Sequence, residues 1–172
     1  MHRSTTKDRA VVTSLVAATM VALAMPALGR MPDAIAAPGE VPILTVRGEG
    51  AQIYECKAKA GGGLAWQFRE PIATLLLDGK TVGRHFAGPT WALDDGSQIK
   101  GRIAASVPGA TDRDISWLRL DVTAHTGNGE LSAATTVQRI NTRGGAMAGS
   151  CGQPGAFLSV PYSADYVFLR RS

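Results

Sequence analysis

Ile72-Ala73-Thr74-Leu75-Leu76-Leu77-Asp78-Gly79-Lys80-Thr81-Val82-Gly83-Arg84-His85-Phe86 is the stretch that decides the fold class. An apolar run ends at Asp78-Gly79, a dipeptide suited to two-residue hairpin turns because both central positions there need φ > 0. Thr81 to Phe86 then returns, so the segment predicts two antiparallel strands. Downstream, Trp91 and Leu93 lead into Asp94-Asp95-Gly96-Ser97, a second tight turn. Beyond it Ile99, Gly101, Ile103, Ala105 and Val107 alternate with Lys100, Arg102 and Ser106, the period of a half-buried strand. Ile115 to Ala124 alternates again, with Leu118, Leu120 and Val122 against Trp117, Arg119 and Asp121. Leu131 to Thr142 is a mixed run in which Thr135, Thr136 and Val137 favour strand over helix. Val160, Tyr162, Ala164, Tyr166 and Phe168 share the last face.

Upstream, Ile43–Arg47 and residues 51–57 read as two strands. Leu64, Trp66 and Phe68 share a core-facing side of a third. The expectation is an all-β domain: an antiparallel β-sandwich or barrel of roughly eight to ten short strands. No helical period, fixed repeat or internal linker follows residue 36, so residues 37–172 are expected to form a single domain. The high content of turn formers, 20 Gly and 9 Pro among 172 residues, agrees with many short strands.

The first 36 residues read differently. Arg3, Lys7 and Arg9 precede an uncharged run from Ala10 to Leu28, the pattern of a secretory signal peptide. Small residues offer two cleavage sites, after Gly29 and after Ala36, and extended sequence at Ala37-Pro38-Gly39 favours the second. Left uncut, the run would be a membrane anchor and the only membrane contact. Either way the domain is expected outside the cytoplasm, secreted or periplasmic. Four of the 18 basic and two of the 14 acidic residues lie in residues 1–36, so the remainder carries only +2. Its basic residues are scattered, whereas phosphate neutralisation needs a clustered basic stripe, and nucleic acid is set aside as a partner.

Cys56 and Cys151 are the only cysteines. In an exported chain the simplest reading is one structural disulfide, worth roughly 4–5 kcal/mol for so long a loop in the chain-entropy picture. A zinc or redox site would want closely spaced cysteines or histidines, which are absent.

Several blocks recur in a characteristic order: Gln52-Ile53-Tyr54-Glu55-Cys56, then Trp66 and Phe68, then His85-Phe86-Ala87-Gly88-Pro89-Thr90-Trp91 with Asp95-Gly96-Ser97. Gln138 to Gly145, Cys151, and Pro161-Tyr162-Ser163-Ala164-Asp165-Tyr166-Val167-Phe168 complete it. This set resembles a family of exported bacterial and fungal proteins, domain of unknown function 3455, over nearly all of the chain that would follow the signal peptide, from about Gly50 to Phe168. The resemblance implies export and a compact domain. It supplies no reaction, so no catalytic role is carried over. A dehydrogenase label borne by some fungal relatives does not suit these residues: Gly48-Glu49-Gly50 lacks the third glycine of a dinucleotide turn, and no βαβ unit follows.

Candidate chemistry centres on His85 to Ser97. A hydrolase would use Ser97 as nucleophile, His85 as base and Asp94 or Asp95 as orienter, but Asp-Gly-Ser is first a turn, and no G-x-S-x-G elbow occurs. A metal site would join His85 and His125 with Asp95 or Asp121, yet two histidines 40 positions apart are more simply core or surface residues. No cofactor or metal is expected. A binding role would use Trp91, expected to be partly exposed beside Gly88-Pro89, together with His85. Arg139, Asn141 and Arg143 would project from one strand face and hold an anionic ligand, or simply be solvated. The leading expectation is a non-catalytic binding or structural module for a small molecule or an envelope glycan. The alternatives are a small hydrolase or metal-dependent enzyme centred on His85, and an envelope interaction protein.

Overall fold

The structure, a computed structural model, describes residues 31–172. The run Ala10–Leu28, read above as the core of a signal peptide, lies outside the described residues. Eight strands follow one another: β1 (Glu40–Ala58), β2 (Leu64–Leu77), β3 (Lys80–Phe86), β4 (Thr90–Leu93), β5 (Gln98–Val107), β6 (Trp117–Thr126), β7 (Thr136–Gly144) and β8 (Phe157–Arg171). Each pairs antiparallel with the next, and β8 pairs back onto β1, closing a barrel. Of the two expected architectures the barrel is the one formed. Closure removes both sheet edges, and eight strands leave an interior just wide enough for side chains or for one small ligand.

The predicted hairpin is β2–β3, with Asp78 and Gly79 both at positive φ in its turn. The two upstream candidates are a single 19-residue strand, β1, and not two. Gly48 and Gly50 look like punctuation but sit where neighbours come close. A Cβ on Gly48 would meet the Tyr166 ring at 2.5 Å, and one on Gly50 would meet the backbone of β2 at 2.0 Å. Gly101 makes similar room for Trp91, whose ring lies 3.1 Å from where a Cβ would stand. Small residues on one wall thus accommodate the large rings on another. Leu131–Thr142 also differs from expectation: its first part is a turn segment, and β7 begins only at Thr136.

The up-and-down path puts alternate connections at opposite ends. One end gathers the β2–β3, β4–β5 and β6–β7 connections, with Leu131 and Ala134 of the last fully buried in the core cluster with Leu75, Ile99 and Phe168. Asp95 and Ser97 bind this segment: Glu130 N–H donates to Asp95 Oδ2 at 2.8 Å and Leu131 N–H to Ser97 Oγ at 3.3 Å. The other end gathers the remaining connections. There Cys56, at the end of β1, is bonded to Cys151 in the β7–β8 loop, across 95 residues, with Cα atoms 5.9 Å apart.

A short 3₁₀ turn, Asp33–Ile35, precedes the barrel. It lies against the face that carries Arg119 and Gln138, which are paired in register and alternate with the inward Leu118, Leu120, Val137 and Arg139. Gln138 Nε2 donates to Ile35 O at 2.8 Å, Arg119 Nη1 donates to Ala36 O at 3.3 Å, and Ile35 is fully buried. Among the described residues no helix is long and apolar enough to cross a membrane.

Candidate functional site

The inward positions of β3 and β4 near the disulfide end are His85 and Trp91, which face each other in register. Their rings stack at 4.5 Å and 10°. Tyr166 of β8 closes on both, 5.0 Å from His85 and 5.7 Å from Trp91. The Thr90 carbonyl can only accept, so His85 Nδ1 carries a proton and donates to it at 2.8 Å. Burial lowers the imidazole pKa to about 4, so the ring is neutral at ordinary pH.

Arg139 of β7 stands opposite Leu118 of β6 and Tyr166 of β8. Its Nε and Nη2 donate to Ser116 O at 3.1 and 2.8 Å. Burial depresses its pKa, yet a guanidinium stays charged under all ordinary conditions. Tyr162 and Tyr166 share a hydroxyl–hydroxyl hydrogen bond of 3.0 Å. Burial raises both phenols, Tyr166 far above its ordinary value, so they are neutral. Tyr54 donates to Gly145 O at 2.7 Å.

These side chains surround a cavity of about 240 Å³ at the disulfide end, whose walls include His85, Trp91, Leu118, Leu120, Arg139 and Tyr166. It adjoins a more open groove of about 420 Å³ that shares Phe68, Ile103, Leu118 and Arg139 and adds Gln52 and Tyr54. Phe68 and Ile103 form an apolar rim and are more than half exposed. Among the described residues, two buried donors here lack a well-aligned hydrogen-bond partner, Gln52 Nε2 and Trp91 Nε1.

The family described as "Protein of unknown function (DUF3455)" matches residues 37–78 and 76–170. The chain belongs to this family. No curated protein and no solved structure matches it. For this DUF3455 chain the barrel and its cavity are therefore the main guide to function.

Several expected site residues fall elsewhere. Ser97 Oγ donates to Asp95 Oδ1 at 2.6 Å within the β4–β5 turn, while His85 donates to a backbone carbonyl. The three are not assembled as a nucleophile, base and orienter. The Ser97 hydroxyl first, with the Glu130 and Ser97 amides, holds the Asp95 carboxyl below its usual range. Asp94 is exposed, and its N–H bonds Val82 O. His125 Nε2 bonds Ala134 O at 2.7 Å, at the packed end, and Asp121 pairs with Arg102 at 3.6 Å. Among the described residues no three His, Cys, Asp or Glu side chains converge as metal ligands.

Trp91, expected to be partly exposed, is 1% exposed, because it stacks inside the barrel; it meets the cavity as a wall. Trp66 and Phe68, expected in the core, are half-buried and exposed, because the barrel is not filled at this end. Arg139 and Asn141 do not share a face. Asn141 adopts φ 51° at a bulge between Ile140 and Arg143, which breaks the alternation. Its Nδ2 donates to Asp165 Oδ2 at 2.8 Å, and it lines a separate shallow groove of about 660 Å³ with Thr111, Arg113 and Trp117. Gln52 and Ile103 were not anticipated as site residues. The signal for Gln52 was present: a buried-parity amide between strand positions otherwise apolar, in step with Tyr54 and Cys56.

Proposed function

We propose that this protein is an exported binding module that takes up one small molecule through the disulfide end of its barrel. The observation that carries this reading is the asymmetry of the interior: one end is packed by Leu131, Ala134, Ile99 and Phe168 and has only a groove of about 260 Å³ among exposed residues such as Leu77, Thr81, Asp94 and Glu130, while the cavity of about 240 Å³ at the other end reaches the inward His85, Trp91 and Arg139. Ligand sites are concave, mostly apolar, and carry a few convergent polar groups, which describes this end. An envelope glycan is the less favoured ligand, because a cavity of about 240 Å³ with mostly apolar walls has no room for a chain of sugars and offers few polar groups to their hydroxyls. An enzyme centred on His85 is less favoured too, because its Nδ1 is committed to Thr90 O and among the described residues no acid binds it.

Export rests on the basic start, the apolar run and a disulfide of the kind stable in oxidising compartments. The buried Ile35 favours cleavage after Gly29 over Ala36, since the later cut would remove a side chain that is 0% exposed. The binding reading is tested by titrating neutral aryl and alkyl fragments into isotope-labelled protein. Amide shifts should concentrate at Phe68, His85, Trp91 and Ile103 and disappear in Leu118→Trp, which fills the cavity. Shifts confined to the outer face, or none at all, would overturn it.

A further inference from the structure

We propose that the ligand is a small organic monocarboxylate, with its carboxylate on Arg139 and its apolar body against His85, Trp91 and Leu120. This deepens the binding reading and rests on it.

Arg139 is a half-buried cation, and among the described residues no carboxylate lies within ion-pair distance of it. Its hydrogen bonds go to neutral groups only, the Ser116 carbonyl and the Tyr166 hydroxyl. Charges withdrawn from water are normally paired, since an uncompensated one costs several kcal/mol or more. The apolar surroundings make the absent counterion more valuable here than at the surface.

The neighbouring orphans have the same polarity. Gln52 is 2% exposed and Trp91 1% exposed; among the described residues the Trp91 Nε1 donor has no partner, and the Gln52 Nε2 donor has no well-aligned one, only a weaker contact with the Tyr162 hydroxyl. Gln52 lines the groove and Trp91 the cavity on either side of Arg139. A cation flanked by unused donors suits a ligand group made of acceptors. A planar guanidinium fits a carboxylate with two parallel N–H···O contacts in its most favourable arrangement.

The charge present sets the ligand's charge. Arg69, the other cation of the cavity wall, is engaged outside: its Nε is 3.1 Å from Glu70 Oε1 and its Cζ lies 4.8 Å over the Phe157 ring. Among the described residues that leaves one cation of the cavity wall without a carboxylate partner, which balances a monoanion and leaves a phosphate dianion half-compensated. Asp114, the acid lining the groove, is occupied by Gly144 N–H at 2.6 Å and the Thr111 hydroxyl at 2.7 Å. It repels anions from that side, so the carboxylate reaches Arg139 from the His85–Trp91 side. The cavity lies below the usual range of roughly 300–1,000 Å³ for drug-sized ligands, which calls for a body about as large as a single aromatic ring.

The test is calorimetric titration of the disulfide-bonded protein with phenylacetate and with the isosteric neutral phenylacetamide. Wild type should bind the acid at least tenfold more tightly than the amide. Arg139→Gln should lose that preference while still binding the amide, which shows that its cavity is formed. Arg139→Lys, which keeps the charge and loses the fork, should retain part of the preference. Equal binding of acid and amide by wild type would overturn the carboxylate proposal and leave the binding module standing. Binding of neither would overturn both. An acid preference that survives in Arg139→Gln would remove Arg139 from the site.

Discussion

The two ends of this barrel are made of similar strands and do opposite things. At the packed end, Leu131 and Ala134 fold in from a loop, and Asp95 and Ser97 fasten that loop through its amides. At the disulfide end, large apolar residues turn outward as a rim, and among the described residues the buried Trp91 Nε1 has no partner and the charged Arg139 no counterion. Local structure that is costly for stability tends to persist where it serves a ligand. The packed end supplies the stability that lets the open end remain unfilled.

The largest expected effect concerns the bond that holds the open end together. Cys56→Ala with Cys151→Ala should destabilise the protein by about 2–5 kcal/mol, read as a lower midpoint in urea. Little change would mean that the β7–β8 loop is held by other contacts. Next, Leu131→Ala at the packed end should cost about 2–5 kcal/mol, the usual range for a buried leucine, whereas Ile103→Ala at the rim should cost less than about 1 kcal/mol. Equal losses at the two sites would erase the contrast between the ends.

His85 sharpens the comparison by pH. Its pKa in the folded chain, about 4, lies below the unfolded value near 6.5, so the unfolded state binds the proton first as pH falls. The stability it contributes is complete above about pH 6.5 and is lost progressively down to about pH 4, a swing of roughly 3 kcal/mol at most. His85→Phe should flatten that part of the stability curve, measured by denaturant midpoints from pH 4 to 8. An unchanged slope would mean that the ring is protonated inside the barrel. The smallest effect is at Asp95. Asp95→Asn should weaken the hold on Glu130 N–H and remove the acid sensitivity below about pH 4, because a depressed carboxylate stabilises only above its unfolded pKa. Hydrogen exchange at Glu130 and Leu131 would report it, and unchanged protection there would show that Asp95 does not fasten the loop.

Much of the fold could be read from alternation and turns, because a strand half-buried on one face must repeat with period two. Asp78-Gly79 and the Ile99 strand gave architecture and direction. Gly48 and Gly50 misled, since glycine marks both turns and close approaches, and only the closed barrel shows that Tyr166 needs the space. Alternation also told which side of the sheet Phe68 shares with Trp66, but not whether that side is filled. Phe68 is exposed because the cavity is there. At the site, His85, Trp91 and Arg139 were recognisable as chemistry-bearing residues. Their meeting was not, because it joins β3, β4, β7 and β8 through register over the whole chain. Asn141 was grouped with Arg139 by spacing alone, and one bulge separated them.

The most direct measurement is a crystal structure of the protein isolated from its native source without refolding. The account predicts a small molecule within the cavity, its acidic group on Arg139 and its body beside Trp91. A barrel whose disulfide end is filled by its own side chains, with Phe68 folded inward or Arg139 paired to a protein carboxylate, would contradict it.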